Sequence, residues 1–404
     1  KEKATEVLKL KLYGSIYTGH GMVKGSIEWD NKTVTDIRAE KGSDELIILP
    51  GIIDTHCHAT QGYNPWAGRT RDELTRNMEG FLKGAASEGV PSVFPTMFGF
   101  NEPDQPPLAL IEAAVPFAEK TGDYRGARVA GLHYEGPYLN RVGEKGVRTP
   151  PPPIDLKYME QVIDTARGHL RLMGLAPELP GSAELTELLL SRGVAVAFTH
   201  TDCQSAEAFA AFDRGVSLAT HLCNVMTGIH HRDIGGLGAA ILDDRVYTEL
   251  ICDGLHVCND MLRLILRAKP NDKIMMISDC TGYSGAPAGT YGGFSGPDSI
   301  IIVDEEGFVR DPNGRLRGSS QCVLYGVRNL VKSCGVSLET AVRLSSGNAA
   351  RKYGLTGRGE LKKGGFADLI VLNKDLELLA TYVEGEKVFD ISERDSIFNR
   401  AALA

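Results

Sequence analysis

Residues 46–58 read Leu46-Ile47-Ile48-Leu49-Pro50-Gly51-Ile52-Ile53-Asp54-Thr55-His56-Cys57-His58. An apolar run that stops at polar residues is the pattern of a buried strand delivering its last side chains to a surface. Two architectures compete for such a run. An open doubly wound sheet would follow its first strand with a Gly-rich phosphate turn. A closed parallel barrel would place reactive side chains at the strand's C-terminal end. The ending Asp54-Thr55-His56-Cys57-His58 has no Gly-rich turn and carries two imidazoles, which favours the barrel.

Seven further apolar runs follow, over roughly 91–96, 127–133, 170–176, 194–199, 217–220, 247–252 and 273–278. Helical periodicity occupies several of the gaps, over 71–88, 108–120, 156–167, 183–192, 206–214 and 260–268. Eight buried strands alternating with helices predict an α/β fold, a (β/α)8 TIM-like barrel. A helix near 337–354 is expected to close it. The flanks instead show short alternating segments, at 10–14, 33–37, 367–372 and 380–383. These predict a small β-sandwich domain built from both chain ends, over 1–50 and 357–404, with the barrel over 51–356.

The 404 residues suffice for one large catalytic domain and a small accessory one, and 42% hydrophobic with 24% charged residues is ordinary globular composition. A net charge of −8 argues against a nucleic-acid surface. No apolar run approaches the about 18 residues of a membrane span, and the charged stretch Lys1–Leu10 lacks a signal-peptide core. The eight cysteines, at 57, 203, 223, 252, 258, 280, 322 and 334, form no CxxC pair. A reduced, cytoplasmic protein is the simplest expectation.

The residues that end the runs carry the chemistry. They are His56 and His58, then His133 and Glu135, His200, His221, the segment Asp253-Gly254-Leu255-His256, and Asp279. In an extended strand residues i and i+2 point the same way, so His56 and His58 can share one ion. Neutral imidazole and carboxylate are ligands for zinc and similar divalent metals. A lone HxH pair would be weak; its company of further histidines and carboxylates at one barrel mouth makes metal binding the better reading. Asp279 could cap a helix instead, His256 could be a core histidine, and Arg232 a solvated loop residue. His133 could pack in a second layer or face substrate. Cys57 and Cys223 read as small buried fillers.

Several segments together resemble one family. Pro50–His58 resembles the opening motif of the amidohydrolase superfamily. Gly131-Leu132-His133-Tyr134-Glu135-Gly136-Pro137 and Thr220-His221-Leu222-Cys223-Asn224-Val225-Met226 resemble the GLHxEGP and THLFNAM motifs of N-acetylglucosamine-6-phosphate deacetylases. His230-His231-Arg232, Asp253–Val257, Ser278-Asp279-Cys280, Leu316–Ser319 and Ser346–Ala350 match in order and spacing.

The resemblance implies that Glu135, His200 and His221 bind a primary divalent metal, expected to be zinc, and that His56 and His58 help hold a second ion in those members that have one. It implies Asp279 as general base and then acid, and His256 as a contact near the carbonyl. Asn224, His231 and Arg232 would contact substrate, the last two at phosphate across a homodimer interface. The implied reaction is hydrolysis of the acetamide of N-acetylglucosamine 6-phosphate to glucosamine 6-phosphate and acetate. A metal would lower the pKa of water towards ~7, and Asp279 would relay its proton to the departing amine.

Two departures fall on the expected substrate loops. Gly146-Val147-Arg148, before Pro150–Pro153, stands where the family has Gly-Ala-His, so Arg148 replaces a substrate-contacting histidine. Ala59–Tyr63 replaces a Gly-rich stretch. Another N-acyl sugar such as the galacto epimer, an N-acyl amino acid or a cyclic amide therefore stays a rival substrate, and a metal-free scaffold a rival role.

Overall fold

Eight short parallel strands carry the site: β1 (Ile53–Cys57), β2 (Ser92–Phe98), β3 (Leu132–Glu135), β4 (Leu170–Leu175), β5 (Ala195–Phe198), β6 (Leu218–Ala219), β7 (Tyr247–Ile251) and β8 (Ile274–Ile277). They were located in a computed structural model that describes residues 9–41, 45–99, 107–121, 124–142, 147–148, 150–293 and 296–400. Neighbours pair in chain order from β1 to β8. The ring closes at the C-terminal ends, where the Asp279 N–H donates to His56 O at 2.8 Å and the His58 N–H to Cys280 O at 3.0 Å. Buried Asp54 ties the seam, accepting from the Ser278 N–H at 3.2 Å and the Ser278 hydroxyl at 2.6 Å.

A helix follows each strand, at Arg71–Ser87, Pro107–Ala118, Leu156–Thr165, Ser182–Ser191, Ser205–Asp213, Gly235–Leu242, Asn259–Ala268 and Val323–Cys334. The first begins at a capping box. Thr70 Oγ1 accepts from the Glu73 N–H at 3.2 Å, and Glu73 Oε2 accepts from the Thr70 N–H at 3.1 Å. Such a cap contributes about 1 kcal/mol. Inside the barrel Ile53, Phe94, Leu172, Leu218 and Met275 fill one apolar cluster, sealed by Ala349 and Tyr353. The closing helix is three pieces, Leu338–Val342, a π turn at Arg343–Gly347 and Asn348–Lys352.

The apolar run at 46–54 is not one strand. Ile47–Pro50 pairs with Lys9–Tyr17 and Leu369–Leu372, and the barrel strand starts only at Ile53. Gly51 permits the change of sheet, since a Cβ there would lie 2.0 Å from Pro91 Cγ. The run at 127–133 likewise divides into Arg128–Val129 and β3. The helix Gly235–Leu242 was hidden by three glycines of low helix propensity. Gly236 lets it pack tightly, because a Cβ would lie 2.5 Å from Phe198 Cζ. The helix Val323–Cys334 and a hairpin of Gly289–Gly293 and Gly296–Val303 were also unforeseen.

Both chain ends build a seven-stranded sheet, in the order Glu386–Asp390, Leu378–Val383, Leu369–Leu372, Ile47–Pro50, Lys9–Tyr17, Met22–Asp30, Thr33–Ala39. It closes, sandwich-like, on Ile16, Ile27, Trp29, Ile48 and Leu369. Among the described residues no helix is long and apolar enough to cross a membrane.

Glu384 fastens this sheet to the barrel. Its buried carboxylate accepts from Lys32 at 2.8 Å, Lys120 at 2.7 Å and Arg358 at 2.6 Å. Burial alone would push its carboxyl up, but these cations hold it well below the usual carboxylate range. Removing one partner of a buried ion cluster leaves the others uncompensated, at about 3 kcal/mol or more. Glu384→Gln is expected to lower the unfolding free energy by that order, read as a lower thermal midpoint. Lys32→Met should have little effect, since Lys32 is 61% exposed.

Candidate active site

The strand ends present their polar residues to one side. His56 lies in β1 and His58 just beyond it, so both point inward. Glu135 is the last residue of β3, opposite Gly174 of β4. His200, His221 and Asp279 each sit two residues past the end of β5, β6 and β8. All three have left-handed backbone, with φ of 49°, 28° and 50°. For residues other than glycine this costs on the order of 1–3 kcal/mol each and persists only where the surroundings enforce it. Here it turns each side chain back over the barrel mouth.

These residues form two facing groups that share Glu135. In the first, Glu135 Oε1 lies 3.1 Å from His200 Nε2 and 3.0 Å from His221 Nε2, and the two nitrogens are 3.2 Å apart. In the second, Glu135 Oε2 lies 3.3 Å from His56 Nε2 and 3.1 Å from His58 Nε2. Asp279 Oδ1 completes it, at 3.5 Å from His56 Nε2 and 3.3 Å from His58 Nε2. Tetrahedral donors ~2.0–2.1 Å from one ion stand about 3.3 Å apart. Both groups have that spacing.

The tautomers also fit. His58 Nδ1 is 3.1 Å from Thr96 O and His200 Nδ1 is 2.7 Å from Arg141 O. A carbonyl only accepts, so each Nδ1 carries a proton and Nε2 is the nitrogen left to face the centre. Both carboxylates stay anionic. Burial opposes this, but His56, His200 and His221 hold Glu135 well below its ordinary value, and His56 and His58 hold Asp279 at about 2. The chemistry of this donor set therefore suits one or two divalent metal ions.

A cleft of ≈ 870 Å³ opens above, lined by His58, Glu135, His200, His221, His256 and Asp279 among others. His256 is oriented by Asp253, whose Oδ2 is 2.6 Å from His256 Nδ1 and whose Oδ1 accepts from the His256 N–H at 2.9 Å. This pair commits Nδ1, so His256 meets a bound molecule through Nε2. Asn224 lines the cleft beside His221, and Trp66, Met97, Phe98 and Leu110 form an apolar wall.

The other expected contacts lie elsewhere. His133 is buried one layer down, its ring 4.6 Å from that of His56, because it precedes Glu135 by two residues in the same strand. His231 and Arg232 are exposed and outside the cleft lining, bonded to each other at 2.8 Å. Val147–Arg148 pairs with Arg141–Val142. The Arg148 side chain lies outside the described residues. Among the described residues lining the cleft there is no lysine or arginine. Cys57 is a buried filler, whereas Cys223 is only half-buried and lines the cleft, with burial pushing its thiol up to about 12.

Sequence reasoning gave Asp253 no role of its own, although its i, i+3 spacing to His256 in a turn was a usable signal. It also passed over Glu249, a lone acid within the apolar strand β7.

If the two groups are metal sites, chelator-stripped protein should take up two divalent ions per chain on titration, read by elemental analysis. Glu135→Ala should weaken both, because one carboxylate serves both groups.

No family model matches the chain. The chain is 31% identical over 355 residues to N-acetylgalactosamine-6-phosphate deacetylase of Escherichia coli O157:H7, covering 85% of this chain and 88% of that one. It is 30% identical over 359 residues to N-acetylglucosamine-6-phosphate deacetylase of Bacillus subtilis (strain 168), covering 87% of each. Its fold superposes on the solved N-acetylglucosamine-6-phosphate deacetylase of Thermotoga maritima with a TM-score of 0.78 at 26% identity, covering 94% of this chain and 100% of that one. A Mycobacterium smegmatis deacetylase in complex with N-acetyl-D-glucosamine-6-phosphate gives a TM-score of 0.80 at 26% identity, covering 94% and 99%. The chain belongs to the N-acetylglucosamine-6-phosphate deacetylase family of the amidohydrolase superfamily.

Proposed function

We propose that this chain hydrolyses the acetamide of N-acetylglucosamine 6-phosphate, releasing acetate and glucosamine 6-phosphate. The observation that carries the reading is one buried carboxylate, Glu135, shared by two tetrahedrally spaced donor groups beneath the cleft. Those intact groups argue against a metal-free scaffold. Zinc is the ion proposed, because neutral imidazole and carboxylate at this spacing suit it.

Glu135, His200 and His221 would hold one ion, and His56, His58 and Asp279 a second. A divalent ion held there would supply Lewis acidity, making water acidic enough to ionise near neutral pH, towards ~7. Asp279 accepts the proton of the attacking water and returns it to the leaving amine. His256, fixed by Asp253, donates to the developing oxyanion. Asn224 positions the sugar, while His133 supports His56 from below.

The phosphate needs a cation that the described cleft lining lacks. Arg148 supplies it in this reading. The alternative is the exposed His231–Arg232 pair of a second copy in a homodimer. The galacto epimer is the second substrate reading, favoured by the likeness to the N-acetylgalactosamine-6-phosphate deacetylase of E. coli O157:H7. A cytoplasmic location belongs to the same proposal, supported by eight free cysteines.

Amine release should be assayed with N-acetylglucosamine 6-phosphate, its galacto epimer and both unphosphorylated sugars. Turnover confined to the phosphorylated gluco sugar supports the proposal; turnover of none of the four removes it. Asp279→Asn should cut kcat by about 10²–10⁴-fold with the fold intact by circular dichroism. Arg148→Ala should raise KM for the phosphorylated sugar about tenfold or more and leave the unphosphorylated one unchanged, as expected when a charge-assisted hydrogen bond is lost.

A further inference from the structure

Glu249 is the least expected residue of the barrel. It sits in the apolar strand β7 and is wholly buried. Among the described residues the only basic group within ion-pair distance is His56, whose Nδ1 lies 3.7 Å from Glu249 Oε2. Its hydrogen-bond donors are two neutral hydroxyls, Thr55 Oγ1 at 2.6 Å from Oε1 and Thr220 Oγ1 at Oε2. A carboxylate taken from water with so little compensation costs more than an apolar residue of its size would. Stability does not explain its presence.

Its place in a chain of bonds does. Thr220 Oγ1 also lies 2.9 Å from His56 Nδ1. A hydroxyl has one proton, and a carboxylate can only accept. With the Thr220 proton given to Glu249, Thr220 must accept from His56. His56 Nδ1 then carries hydrogen, and Nε2 is the nitrogen left to face Glu135, His58 and Asp279. His58 and His200 obtain the same tautomer from main-chain carbonyls. His56 obtains it from a side-chain relay that ends on a buried anion.

We infer that Glu249, acting through Thr220, is a positioning residue that fixes the His56 tautomer and strengthens His56 as a ligand for the ion held with His58 and Asp279. Neither residue touches substrate. The inference rests on the metal-binding reading of the site and is independent of which sugar is cleaved. Partners of this kind change metal affinity by about 10–100-fold when removed.

The test is a titration of chelator-stripped protein with Zn²⁺ against a chromophoric competitor, on the full chain. Thr220→Val keeps the side-chain shape and removes the relay; Glu249→Gln keeps the volume and removes the anion. Thr220→Ser restores the hydroxyl. Both disruptive variants should weaken one of two ions about 10–100-fold and leave the other as in the parent, with Thr220→Ser close to parent. Combining the two should cost no more than either alone, because they break one chain of bonds. Unchanged affinity in Thr220→Val, with or without a lower unfolding midpoint, would reduce the pair to packing and overturn the inference. Equal weakening of both ions would overturn it too. A parent protein that binds no zinc would instead sink the metal reading beneath it.

Discussion

The site depends on the carboxylate of Glu135, buried at the end of β3 with imidazoles on either side. An anion in that place is expensive unless every lone pair has a partner. Four imidazole nitrogens lie within 3.3 Å of it. In turn the carboxylate dictates where the histidines must stand, and so where the strands that carry them must end. Gly174 lies opposite Glu135 in β4, where a Cβ would lie 2.7 Å from Thr199 Cγ2.

Strain and order are concentrated around that centre. The left-handed backbone at His200, His221 and Asp279 occurs two residues beyond three separate strands, a regularity that chance turns would not give. Each turn folds the chain back over the mouth, and the β1–β8 seam holds Asp279 against His56 through main-chain bonds. Hydrogen bonds at Nδ1 of His56, His58 and His200 then settle which nitrogen faces inward. The site is thus organised from behind, by acceptors on the far side of each imidazole from the centre.

Charge is distributed with equal economy. The described cleft lining holds histidines and carboxylates but no lysine or arginine, which confines strong positive charge to any ions bound below and to groups arriving from loops or a neighbouring copy. Cations cluster instead at Glu384, where they join the small sheet to the barrel. In the proposed reading, reaction chemistry and anchoring of the sugar phosphate belong to different parts of the molecule. That separation suits a family whose relatives are named for two epimeric sugars.

The ends of the apolar runs were legible in the chain itself. A strand buried on both faces is largely apolar, so the polar residues that end the runs, His56, His58, Glu135, His200, His221 and Asp279 among them, stand out. Other features had no local signal. The run at 46–54 gives no hint of its change of sheet at Gly51, because strands of either sheet are equally apolar there. The helix Gly235–Leu242 looks like a loop until Phe198 is seen packed against its glycines. His133 has the same local credentials as Glu135, yet the two-residue period that aims both inward also sets one of them a layer deeper. Glu249 is one acid in an apolar strand until Thr220 and His56 arrive from strands distant in sequence. The sequence by itself determined the barrel and the polar residues at its strand ends, since periodicity and polarity are local properties. Only the tertiary structure decided which nitrogen of His56, His58 and His200 faces the centre and which carboxylate serves both groups, because hydrogen-bond direction is set by neighbours that the chain brings together only on folding.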